Sequence, residues 1–164
     1  MRIQIAVLTG LMFLGGLPAV AQSSSAGVAA PAGGVTDAGL KEMLDGMGYE
    51  PRPLSKGYLL AVKRDTWTIH IQLVLSKDLT KIGMNANLGL VSDAASVPAA
   101  TWLKLLADNG DIDPSAFYYD KDQKKLYLHR VMDNRAVTPA VLRRQIEAFC
   151  DNTRDTAADW NFTK

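Results

Sequence analysis

The chain contains a single cysteine, Cys150, in 164 residues. No intramolecular disulfide can form, and the paired-cysteine metal motifs are excluded. Histidine is nearly as scarce, with only His70 and His129. Neither sign of charge is in excess: 18 Lys and Arg stand against 17 Asp and Glu, for a net charge of +1. That balance leaves no electrostatic footprint for nucleic acid or an anionic membrane. A membrane-length apolar run is also missing. The apolar stretch that follows Arg2 stops at Leu17, short of the roughly 20 residues that span a bilayer. There is no Gly-x-Ser-x-Gly elbow and no phosphate-cradling glycine pattern.

What is present begins with Met1-Arg2, the apolar run, Pro18 and then Ala19-Val20-Ala21. A basic start, a short apolar core and a small-x-small motif read as a secretory signal peptide over residues 1–21, cut after Ala21. The expected location is periplasmic or secreted, with no membrane span after cleavage. No cysteine lies near the cut, which argues against a lipoprotein. Loss of Arg2 lowers the positive count from 18 to 17, equal to the 17 acidic residues, so the mature charge is zero. Residues 22–35 are small, polar or helix-breaking and read as a flexible tether. Residues 36–164 then form a single domain, long enough to bury about two-thirds of its unfolded surface.

Within that domain Thr36–Met47 reads as a helix, capped by Thr36 or Asp37, with Leu40, Met43, Leu44 and Met47 on one face. Gly46 and Gly48 end it. Tyr58–Val62 is nearly all apolar and reads as a strand covered on both faces or lying beside the core. Trp67–Leu75 is the clearest strand. Trp67, Ile69, Ile71, Leu73 and Leu75 fall on one face, and Thr68, His70 and Gln72 on the other. Lys81–Leu88 alternates as well, so three strands joined by short turns form an antiparallel meander. Pro98–Asp108 is a second helix, with Asn109-Gly110 at its exit. Its Trp102, Leu103, Leu105 and Leu106 spread beyond one stripe at about 100° per residue, so a second protomer is the expected cover. Phe117–Tyr119 and Leu126–Val131 form a hairpin around Asp120-Lys121-Asp122-Gln123. A last helix starts at Thr138-Pro139, with Leu142, Ile146, Phe149 and Thr153 along one face. The order is α-βββ-α-ββ-α, an α+β domain whose antiparallel sheet is flanked by helices.

Tests for chemistry find little. His70 and His129 share the polar side of their strands, but no Cys, His or Glu stands at a ligand spacing from either. Cys150 lies on an amphipathic helix rather than beside a histidine and reads as a small buried side chain. The acidic run Asp108–Asp113 fails the calcium-loop rule, because Asp113 stands where the turn glycine belongs. Asn161-Phe162-Thr163 is formally a glycosylation sequon. No catalytic, cofactor-binding or metal-binding residue is assigned.

Several of these residues form a pattern: Gly48-Tyr49, Tyr58-Leu59, Trp67-Thr68-Ile69, Lys81-Ile82-Gly83, Asn87-Leu88, and Leu103-Lys104-Leu105-Leu106 running into Asn109-Gly110. Phe117, Leu126-Tyr127-Leu128, Asn134 and Phe149 complete it. From about Thr36 to Trp160 the chain resembles the YbjN-like bacterial domain, a sensory-transduction regulator family that shares the fold of type III secretion chaperones. The resemblance implies a dimerising domain of this topology, no catalytic motif, and exposed apolar surface that holds an extended client without nucleotide. The export signal departs from those chaperones, which work in the cytoplasm, so fold is not function here.

The expectation is an exported, non-enzymatic, homodimeric protein-binding module, chaperone-like or regulatory, with a client protein or peptide as partner. Trp102, Leu105 and Leu106 are the expected dimer contact. Thr68, His70, Gln72, Tyr127 and His129 are the expected partner-facing sheet surface. The alternatives are a metal-dependent or hydrolytic enzyme using His70 and His129, and a structural envelope component without a soluble client.

Overall fold

The computed structural model describes residues 30–163. The expected signal peptide and most of the expected tether lie outside the described residues. Helix α1 spans Asp37–Gly46; the Thr36 hydroxyl caps it by accepting the Gly39 N–H, and Gly48 leaves it at φ +82°. Strands follow at Arg52–Pro53 (β1), Tyr58–Arg64 (β2), Trp67–Leu75 (β3) and Lys81–Leu90 (β4). Helix α2 spans Ala99–Asp111, and a second hairpin is made of Ser115–Asp120 (β5) and Lys125–Asp133 (β6). Helix α3 covers Pro139–Asp155, α4 Ala157–Trp160, and a 3₁₀ turn Asn161–Thr163.

The sheet has six strands in the order β1-β2-β3-β4-β6-β5, and every pairing is antiparallel. The α+β topology read from the sequence holds, with two additions: the two-residue β1 and the short helical end after α3. Proline supplies no N–H, so β1 stops at Pro53 after pairing with Tyr58.

The core lies on one sheet face. Ile69, Ile71 and Leu73 of β3 are buried there with Leu60, Ile82, Met84 and Leu128, under Leu40 and Leu44 of α1 and Leu142, Ile146 and Phe149 of α3. Each such side chain contributes about 1.5–3 kcal/mol on burial. β2 is not covered on both faces. Its burial alternates, with Leu60 and Val62 inward and Ala61 exposed, because the helices cover a single face of the sheet. α3 starts at a Thr138 cap that accepts the Val141 N–H. Asn152 ties it to the α2–β5 linker, donating to Ile112 O at 3.0 Å and Ser115 Oγ at 3.1 Å.

Hydrogen bonds fasten the described chain near both of its limits. Gly33 and Val35, the last part of the expected tether, are hydrogen bonded to the loop after β6: Val137 N–H donates to Gly33 O, and Val35 pairs with Asn134. At the other end, Thr163 donates to Leu88 O at 2.9 Å, beside an irregularity in β4. Gly89 sits there at φ +151°, and a Cβ on it would lie 2.5 Å from Thr163 O. Only glycine lets the chain end approach so closely. The Thr of the sequon is therefore buried and structurally engaged.

Candidate protein-binding surfaces

Two surfaces stand apart from the core. The first is the outward side of α2. Trp102 is half-buried; its indole N–H donates to Ala94 O, and its ring meets Tyr119 at 5.7 Å and Phe162 at 5.8 Å. Leu105 points inward and is 3% exposed, so it belongs to the chain's own core rather than to a contact surface. Leu103 and Leu106 point outward, each 65% exposed. A groove of about 180 Å³ runs beside Leu106, with Trp102, Phe117 and Tyr118 also among its lining. Of the three residues expected at a dimer contact, the structure brings Trp102 and Leu106 to the surface together. The sequence reading missed Leu103 as an outward position.

Alongside this groove, the edge strand β5 is plugged. Phe117 N–H donates to Asn109 Oδ1 at 2.6 Å, and Asn109 Nδ2 lies 3.5 Å from Phe117 O. Asn109 thus occupies the backbone position that an added strand would use. It also accounts for the end of α2. The helix runs past the expected Asn109-Gly110 exit to Asp111, because Asn109 is committed to β5 rather than to a cap.

No family model matches the chain, and no curated protein matches it in sequence. Solved structures match it in fold. A chain of the heterodimeric ExoU–SpcU complex, from the type III secretion system of Pseudomonas aeruginosa, superposes with a TM-score of 0.51 at 17% identity. That match covers 73% of this chain and 96% of the other. A chain of the HopA1–SchA chaperone–effector complex gives 0.51 at 12% identity, over 71% of this chain and 88% of that one. YbjN from E. coli gives 0.47 at 17% identity, over 74% and 88%. The fold is type III secretion chaperone-like. At these identities the likeness is one of fold alone.

The second surface of this chaperone-like fold is the sheet face that the helices leave open. Register builds it in rows. Leu59, Gln72, Asn85, His129 and Ala116 lie across five strands in one row. In the next, Ala61 pairs with His70, and Asn87 and Tyr118 flank Tyr127. The expected sheet-surface residues are therefore all on one face. His70, Gln72 and Tyr127 line a common groove, His129 adjoins it through Asn85, and Thr68 lies farther along, paired with Lys63. Tyr118 and Tyr127 stack at 5.2 Å with rings 11° apart, and the His129 ring meets Tyr118 edge-on at 5.9 Å. Burial holds His129 below its usual pKa, with Nδ1 2.6 Å from Asn85 Oδ1.

His70 and His129 sit on β3 and β6 with β4 between them and one row apart, roughly 12 Å from each other by strand spacing and rise. Among the described residues no group of three or more His, Cys, Asp or Glu could hold a metal. Cys150 is fully buried, and burial pushes its thiol up to about 12. A thiol held neutral at that pKa is a packing group rather than a nucleophile.

Proposed function

We propose that the chain is an exported, non-enzymatic protein-binding module, chaperone-like or regulatory, that works as a homodimer through the outward side of α2. The observation that carries this reading is the pair Leu103 and Leu106, both largely exposed, with Leu106 lining an apolar groove. Exposed apolar side chains of that size on one helix face favour association. The fold neighbours support the protein-binding half, since one is described as a chaperone–effector complex. A client in extended form has one sheet edge open to it, the β2 side beyond Leu59, where β1 no longer pairs. The other edge is held by Asn109.

Export rests on the N-terminal signal pattern and its cut after Ala21. Among the described residues no helix is long and apolar enough to cross a membrane. The full chain, expressed in a bacterium and recovered from the periplasm, is expected to begin at Gln22 by N-terminal sequencing. Light scattering of the same sample at micromolar concentration is expected to give twice the protomer mass. A monomer at that concentration sinks the dimer, and an intact N-terminus in the cytoplasm sinks export.

A further inference from the structure

The open sheet face carries a groove of about 290 Å³ that association through α2 leaves unused. Its position follows from strand order. Gln72, Asn85 and Asn87, on the central strands, form the floor; Leu59 and His70 stand on the β2–β3 side, and Tyr127 on the β6 side. No Lys, Arg, Asp or Glu lines it.

Its polar groups are pre-oriented. Asn87 Oδ1 accepts the Gly89 N–H at 3.1 Å, which leaves the Asn87 NH₂ for a ligand. With the proton on His129 Nδ1, Asn85 Oδ1 accepts from it, which likewise leaves the Asn85 NH₂. Gln72 donates its own NH₂ to Lys56 O at 3.0 Å, leaving its carbonyl oxygen as an acceptor. One face of the Tyr127 ring is taken by Tyr118, so the other face is the one turned to the groove. The Tyr127 hydroxyl is fixed as a donor to Gln123 Oε1 at 3.0 Å.

The geometry points to a binding site for an uncharged saccharide. Adjacent amide donors and an acceptor match neighbouring hydroxyls, and a locked aromatic wall receives the C–H face of a sugar ring. An ionic ligand finds no counter-charge here. An extended peptide binds through backbone groups along a strand edge, whereas the pre-oriented groups here are side-chain amides and a ring face. This inference stands independently of the protein-binding reading.

The test is a titration of the ¹⁵N-labelled full chain with three neutral disaccharides, maltose, cellobiose and N,N′-diacetylchitobiose, followed by NMR. At least one is expected to give saturable shifts of the Asn85 and Asn87 side-chain amides, with Kd about 1 mM or tighter. Asn87→Asp keeps the acceptor that Gly89 uses and replaces the NH₂ donor with an anionic oxygen that cannot donate. It is expected to weaken binding about tenfold while the remaining spectrum stays folded. Tyr127→Ala, which removes the wall, is expected to abolish it. The assignment is overturned if no disaccharide shifts these amides, if Asn87→Asp binds as well as the parent, or if an unstructured peptide displaces the sugar.

Discussion

Asn134 is fully buried and bonded three times. It accepts the Val35 N–H at 2.9 Å and donates to Val35 O at 2.7 Å and Leu79 O at 2.8 Å. Asn134→Ala strips all three partners and is expected to cost about 3 kcal/mol in urea denaturation, with the Gly33–Val35 segment released to proteolysis. Nothing local in the sequence marks this role, because its partners lie 99 and 55 positions away. His129 was legible as a polar-face residue; its tie to Asn85 was not, since that depends on strand order. Burial lowers its pKa in the fold, so the unfolded chain binds the proton more readily. Stability contributed by neutral His129 is present above the unfolded pKa and is lost as pH falls from there through the lower folded pKa. Between about pH 7.5 and 5 the parent is expected to lose more thermal stability than His129→Gln, measured by circular dichroism melts. Equal losses would assign the acid sensitivity elsewhere.

At the scale of elements, the long periodic segments were readable. Trp67–Leu75 emerged with its expected bounds as β3, and its apolar parity is the core side. The meander and the second hairpin also emerged, with strand ends shifted by a few residues. α2 was readable as over-apolar, but which of its leucines face outward was not. Burying Leu105 and exposing Leu103 and Leu106 depends on where β5 and the C-terminal turn pack, which is tertiary information. Asn109-Gly110 reads as a stop by local chemistry, and a contact made eight residues later outweighs it. Asn109→Ala is expected to lower stability by about 1–2 kcal/mol in urea, because Phe117 N–H loses its acceptor. An unchanged midpoint would show that water serves the edge equally well.

At the scale of the whole molecule, the helices among the described residues gather on one side of the sheet and leave a polar, aromatic face on the other. The charge balance and the scarcity of His and Cys excluded several kinds of chemistry at the outset. They did not show that three amides and a tyrosine converge, because those residues come from three separate strands. Association belongs to this scale too. Leu106→Glu places a charge on the outward side of α2 without disturbing Leu105 beneath it. It is expected to halve the particle mass in sedimentation equilibrium and to leave the melting temperature of the dilute protein unchanged. Retention of the full mass would move the contact away from α2.

The plugged β5 edge sets a limit on valence. A sheet with two receptive edges can add neighbours indefinitely and grow into a fibre. With Asn109 seated on one side, strand addition has a single direction in which to proceed. Two copies paired open edge to open edge would leave only plugged edges facing outward. Growth through strand edges is thereby ended by a single amide.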